Sequence, residues 1–350
     1  MAISNDPEVT VSTSQTLPFT VAQLIPLSLF CFVMSFFGIL GNGTVLYSSL
    51  RYNAIRLDRV SVVLIQNLAV ADVLYTITNI IPRLITYITG KWVLGTVYCF
   101  ISAHFSFILG SANAFIVLLI TSYRLLLVTR PLAYVTLCSA KLALVVVWVF
   151  ASTGTMISLL YEPSSTFNPR SGKCMSGAYD DIAAQVAVQF AVGIILVVPL
   201  FVITFENVVL CAIALKKSRS QANSTPNFKA LLMVCALSGL FITSWTPYTI
   251  YIFMKSNHHV IPPALEFLAF HCIFINCSGN PILYTVTNKR FAMYVRGLLQ
   301  KVYSSLCGKS ASSWADLPVR LNTMRCSTMT SINRSQEQDP SAVPQGDSSV

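Results

Sequence analysis

The sequence predicts an all-α membrane protein: seven spanning helices in one bundle, followed by a short amphipathic helix on the membrane surface. Three observations carry this. Hydrophobic residues make up 54% of the 350 and charged residues only 10%, against roughly 25% charged in soluble chains. The apolar residues fall into seven long runs, at about 22–49, 60–86, 97–128, 141–161, 182–214, 229–254 and 262–286, long enough to cross a hydrocarbon core of about 30 Å. Basic residues are distributed unevenly between the loops, which fixes an orientation.

Residues 1–21 form an outer tail, its first twenty polar and rich in Ser, Thr and Asp. No Lys or Arg precedes Arg51, so a basic-started cleavable leader is not expected and the first run serves as its own anchor. On this topology the inner loops hold Arg51, Arg56, Arg59, Arg124, Arg130, Lys141, Lys216, Lys217, Arg219 and Lys229. The outer side holds Arg83, Lys91, Arg170, Lys173 and Lys255. Ten against five places the N-terminus outside and the C-terminus in the cytosol. The net charge of +10 is thereby explained by topology, with no need of nucleic acid. The sequons at Asn42, Asn223, Asn276 and Asn333 fall in the membrane or the cytosol, so glycosylation is not expected.

The third run is central. Cys99 to Arg124 covers roughly 37 Å at about 1.5 Å per residue, and it mixes aromatics with the small residues Ser106, Gly110, Ser111 and Ala112. Small residues let helices approach closely in lipid. Residues 22–286 thus form the bundle. In 287–303, Phe291, Val295, Leu298 and Leu299 share one helical face, with Lys289, Arg290, Arg296 and Lys301 elsewhere, the pattern of a helix lying on the bilayer. Cys307 beside it is a candidate acylation site, or a free thiol. Residues 304–350 are a Ser/Thr-rich cytoplasmic tail, expected to be disordered.

Several motifs lie in order along the runs: Gly41-Asn42 in the first, Leu68-Ala69-Val70-Ala71-Asp72 in the second, Trp92 and Cys99 at the start of the third, and Arg124 at its end. Arg130-Pro131-Leu132 follows. Trp148 marks the fourth run, Pro199 the fifth, Phe241, Trp245 and Pro247 the sixth, and Asn280-Pro281-Ile282-Leu283-Tyr284 the seventh. With these, residues 22–305 resemble the rhodopsin-like (class A) G-protein-coupled receptors. The resemblance implies a plasma-membrane receptor in which an outer ligand biases the bundle and the inner crevice around Arg124 engages a heterotrimeric G protein. It also implies an outward swing of the inner half of the sixth helix, hinged near Pro247.

The same residues can be read physically. Asp72 is an acid in an apolar span, which is costly unless paired or wet. Asn42, Asn113, Asn276 and Asn280 can share a polar network with it, and the resemblance implies a sodium ion there. A purely structural network is the alternative. Pro199, Pro247 and Pro281 each remove a backbone hydrogen bond and kink their helices. Trp245, two residues before Pro247, is either the pocket floor or core packing. Cys99 and Cys174 are the cysteines expected near the oxidising outer face, where a bond between them is permitted. It would clamp the second outer loop to the third helix.

The family's third-helix motif is an acid, Arg124's equivalent and an aromatic. Here the triplet is Tyr123-Arg124-Leu125, and Asn207 to Leu265 contains no Asp or Glu. Three consequences stay open: a weak resting lock with raised basal signalling, Glu206 taking over as partner of Arg124, or poor coupling.

The expected pocket comprises Arg83, Tyr87, His104, Ser106, Phe107, Gly110, Trp245, Tyr248, Tyr251, Ile252, Glu266, Phe270, His271 and Phe274, an aromatic and mostly neutral set suited to an apolar or amphipathic ligand. Arg83 and Glu266 at its mouth either anchor charged ligand groups or pair with each other. The resemblance argues against retinal, because Phe274 stands where opsins carry the lysine. It argues against a biogenic amine, because Ser106 stands where amine receptors carry an aspartate. Asp180 and Asp181 read as helix caps or as attractors of a basic peptide. Ser348-Ser349-Val350 fits a PDZ-domain ligand, and the tail suits receptor kinases and arrestin. Rival classes are an uncoupled or constitutively active pseudo-receptor and a seven-helix transporter, which predicts repeats or paired mid-membrane charges not found here. No metal-ligand spacing, nucleophile elbow or phosphate loop supports an enzyme.

Overall fold

The computed structural model describes residues 15–52, 57–130, 135–161, 165–176, 193–219, 226–257 and 259–307. Within the described residues, each apolar run becomes a helix. α1 (Val21–Arg51) is entered through a capping box, the Gln23 side chain accepting from the Thr20 backbone N–H at 3.0 Å. α2 (Arg59–Thr89) starts at Asp58, whose carboxylate accepts from the Ser61 backbone N–H at 2.9 Å, satisfying a free helix-end donor. It ends at Gly90, whose φ of 69° is the left-handed cap geometry. α3 (Gly95–Thr129) is followed by α4 (Leu137–Tyr161). A two-stranded antiparallel hairpin, β1 (Ser165–Asn168) and β2 (Lys173–Ser176), follows in the outer loop with Phe167 opposite Cys174. α5 is a π turn, Gly193–Val197, running into Val198–Arg219. α6 (Pro226–Ser256), α7 (Pro263–Thr287) and α8 (Lys289–Cys307) complete the described residues.

Two more π turns interrupt the first spans, Phe37–Gly41 in α1 and Thr76–Ile80 in α2. The polar residues Asn42 and Asp72 lie next to these turns, and π turns often mark functional sites. The spans bury one face and expose apolar residues such as Ile25, Phe32, Leu142, Phe201 and Phe253 on the other, a pattern that matches lipid as the outer solvent. Hydrogen bonds tie neighbours inside this shell. Ser278 Oγ donates to the Met34 carbonyl at 2.7 Å (α7 to α1), Tyr98 to the Ile77 carbonyl at 3.1 Å (α3 to α2), and Ser238 to Asn207 at 2.8 Å (α6 to α5).

α8 runs four residues past the expected end at 303, because Val302 and Leu306 continue its apolar face. Phe291 is buried and Val295 packs on the bundle, whereas Leu298, Leu299, Val302 and Leu306 stay exposed for the bilayer surface. The outer tail up to residue 14, Pro131-Leu132, the stretch 182–192, Asp180, Asp181, and the cytoplasmic tail beyond 307 with Ser348–Val350 lie outside the described residues.

Candidate functional site: a receptor core from outer pocket to inner crevice

At mid-depth, Asp72 is fully buried. Asn113 Nδ2 donates to its Oδ1 at 3.0 Å and Asn280 Nδ2 to its Oδ2 at 2.8 Å, so α2, α3 and α7 meet on one carboxylate. Asn42 reaches the same cluster indirectly, donating to the Cys277 carbonyl at 2.9 Å; the Cys277 thiol lies against Asp72. Asn276 is buried with Nδ2 unpartnered. Three amide oxygens, Asn42 Oδ1, Asn113 Oδ1 and Asn280 Oδ1, are likewise buried and unpartnered. One carboxylate with several neutral oxygens is a hard donor set, so the residues present fit a small monovalent cation such as sodium.

Toward the outer face, the disulfide joins Cys99 at the head of α3 to Cys174 of β2. It holds the hairpin over the bundle, where Trp92 stacks on Phe167 at 5.5 Å. Gly172 lets the hairpin dip inward: its φ is +61°, and a Cβ there would lie 3.0 Å from the Tyr87 ring. Lys173 follows, and its Nζ donates to Ser106 Oγ at 2.8 Å and sits 5.2 Å from the Phe270 ring centroid. Below it, Arg83 is 3% exposed, with its Cζ 4.9 Å from the Phe274 centroid and 5.7 Å from that of Phe270. Tyr87 and the His271 Nε2 hydrogen-bond at 2.8 Å beside them. Trp245, Tyr248, Tyr251 and Phe270 form a chain of ring contacts at 5.1–5.9 Å, and Ile252 packs against it. A Cβ on Gly110 would lie 2.9 Å from the Trp245 ring, so Trp245 is seated directly on α3.

At the inner end, Arg124 is buried and its Nε and Nη2 have no hydrogen-bond partner. Leu57, Ser61, Leu64, Ile65, Ile120, Tyr123, Met233 and Val234 close around it, leaving a crevice of about 10 Å³. The preceding residue, Tyr123, donates its hydroxyl to Asp58 Oδ1 at 2.9 Å. Burial alone pushes the Asp58 carboxyl up, but hydrogen bonds from Ser61 and Tyr123, with Arg124 nearby, hold it below the usual carboxylate range. Glu206 of α5 is engaged otherwise: it accepts from Thr121 Oγ1 and Ser122 Oγ, both at 2.7 Å. Tyr284 is buried against Phe291 of α8, and Phe241 tilts on Trp245 at 5.7 Å.

A profile described as "7 transmembrane receptor (rhodopsin family)" matches residues 41–284, which span every element just described from Asn42 to Tyr284. This chain belongs to the rhodopsin family of seven-transmembrane receptors. The receptor is similar to the tachykinin-like peptides receptor 86C of Drosophila melanogaster, 25% identical over 76% of this chain and 57% of that one. It is also similar to a GQ-coupled rhodopsin of Mizuhopecten yessoensis, 24% identical over 86% of this chain and 64% of that one. The alignments thus span less than two thirds of those relatives. The crystal structure of squid rhodopsin shares the fold, with a TM-score of 0.68 at 16% identity over 82% of this chain and 88% of that one.

The family's receptors are not enzymes, and this one crosses the membrane seven times. Most of the expected pocket residues of the receptor come together, and His104 stands apart from Ser106 on α3. Its Nδ1 bonds the Phe100 carbonyl at 2.8 Å on its own helix and its ring lies on Phe100 at 4.2 Å. Two residues along a helix is a turn of about 200°, so His104 and Ser106 face opposite ways. Phe107 points toward α4, where its ring approaches Gly154. No ion pair joins Arg83 to Glu266 among the described residues; the guanidinium Nε and Nη1 are buried and unpartnered. Two residues were missed. Asp58 was readable as an N-cap, but nothing in the sequence signals that it meets Tyr123. Lys173 precedes a disulfide cysteine, and only the inward hairpin delivers it to α3.

Proposed function

We propose that this receptor binds an extracellular ligand in the pocket between Arg83, Ser106, Trp245 and Phe274 and transmits the event to a heterotrimeric G protein at the inner crevice. Its N-terminus lies outside the plasma membrane and its C-terminus in the cytosol. The observation that carries this is Arg124: a cation at the inner end of α3, with free donors, kept from the cytosol by Met233 and Val234 of α6. A buried cation with unused donors is costly, so a state that exposes it to a partner's carbonyls or carboxylate competes closely with the closed one. Pro247 interrupts the hydrogen-bond ladder of α6 two residues after Trp245. A ligand that moves Trp245 against Gly110 therefore acts on the hinge about which the inner half of α6 swings. Ligand and G protein each bias the same two-state bundle.

Asp58 and Tyr123 restrain that opening. Their hydrogen bond ties the inner end of α3 to the start of α2 and places a carboxylate near Arg124 without the acid the family usually has in the triplet. Sodium fits the Asp72 cluster. Asp72, Asn113 and Asn280 would hold it with Asn42 nearby, and the ion would supply charge compensation that the amides lack.

The test is guanine-nucleotide exchange on purified heterotrimeric G proteins by membranes carrying the receptor, compared with Arg124→Ala at equal surface density. Exchange by the native chain that falls at least about tenfold in the variant, the loss of roughly 1.4 kcal/mol of differential binding, supports coupling at this crevice. Exchange equal to that of receptor-free membranes across the G-protein classes refutes it.

A further inference from the structure

We propose that the outer pocket is an anion site, in which the Arg83 guanidinium and the Lys173 ammonium together take the carboxylate or phosphate group of an amphipathic ligand whose apolar body lies against Phe270, Phe274 and Tyr248. The proposal rests on the reading that the outer pocket receives the ligand, and it names the chemistry of that ligand.

Arg83 and Lys173 come from different elements, α2 and β2, yet both stand on the face of one ring, Phe270. Two like charges converging on one ring repel each other, and Arg83 is removed from water as well. Among the described residues no carboxylate pairs with them. Glu266 is the one acid on the outer side of the bundle among the described residues, and it forms no ion pair with either. Arg83 is more than nine-tenths buried, with Nε and Nη1 unpartnered. Lys173 spends one donor on Ser106 and has two more. The rings of Phe270 and Phe274 stabilise a cation only in part.

Burial, with Arg83 and Lys255 nearby, pushes the Lys173 ammonium down to about 7. The site is therefore short of negative charge. A planar fork beside a point-charge donor suits an oxyanion with two or three oxygens. The surrounding rings exclude water and supply the apolar wall that an isolated inorganic ion would not use. The disulfide at Cys174, the residue after Lys173, keeps the ammonium over the pocket. Arg170 adds a further cation on the rim, beside an open depression of about 580 Å³ lined by Thr16, Leu17, Pro18, Asn168 and Pro169.

The experiment is thermal unfolding of the full chain purified in a neutral maltoside detergent. The probes are dodecanoate and dodecyl phosphate, set against dodecanol and dodecyltrimethylammonium below their micellar concentrations. At least one anion is expected to raise the melting temperature by about 5 °C near saturation, with dodecanol and the cation giving less than a third of that. Comparing the two anions tells carboxylate from phosphate. Lys173→Gln, in β2 of the outer hairpin, loses most of the shift. Lys173→Arg keeps it, and Arg83→Lys keeps part of it because charge remains without the fork. No shift with either anion, an equal shift with dodecanol, or an undiminished shift in Lys173→Gln overturns the proposal. Melting is read without any G protein, so failure of coupling and failure of the anion site are separate results.

Discussion

Two amide N–H groups and the Cys277 thiol hydrogen-bond the Asp72 carboxylate, while the side-chain oxygens of Asn113 and Asn280 stay unpartnered. A buried charge in that state is a liability that a cation removes. Replacing NaCl with choline chloride at equal ionic strength should lower the melting temperature of the native receptor by a few degrees. Asp72→Asn should abolish this sodium dependence, and an equal sodium effect in that variant would show the ion binds elsewhere. Asp58 is the second decisive carboxylate. Its proton affinity is depressed in the folded receptor, so the contact it makes is complete above the ordinary carboxylate range and is lost only as pH falls through the depressed value. At cytosolic pH the Tyr123 bond is intact. Because Asp58 is solvent-exposed, that bond is worth only about 0.5–1 kcal/mol, or roughly a two- to fivefold bias toward the closed state.

Among the elements, α1 and α7 approach closely at Gly41. A Cβ there would lie 2.8 Å from Cγ and 2.9 Å from Cβ of Pro281. A proline ring cannot rotate aside, so Gly41→Ala must push the helices apart, costing about 1–3 kcal/mol. The melting temperature should fall by several degrees, and an unchanged value would mean the contact is loose. The helices themselves were legible, because long apolar runs and loop charges report spans and orientation directly. The motif residues Asp72, Trp245, Pro247 and Tyr284 were legible by type and order. The orientation of His104 follows from helical phase, a turn of about 200° setting it opposite Ser106 on α3. The ring contacts of Arg83 and the hydroxyl partners of Glu206 were not legible, since both depend on which side chains the neighbouring helices deliver.

In the whole molecule, three layers lie along α3: cations under the hairpin at the outer end, an acid among amides at the centre, and an arginine under a closed lid of α6 at the inner end. The layers share helices: Trp245 and the Met233 and Val234 that close over Arg124 lie on α6, and Asn113 and Arg124 lie on α3. Loop-borne residues, Lys173 outside and Asp58 inside, complete the two end layers, and neither stands out in the linear sequence.

The most direct measurement is ligand-free G-protein activation in cells by the native receptor, Asp58→Asn and the double variant Asp58→Asn/Arg124→Ala at matched surface expression. If Asp58 and Tyr123 hold the inner crevice shut, Asp58→Asn signals about two- to fivefold above the native receptor, and the double variant falls to the background of untransfected cells. Equal signal from Asp58→Asn and the native receptor, or a signal from the double variant as high as from Asp58→Asn, would contradict it.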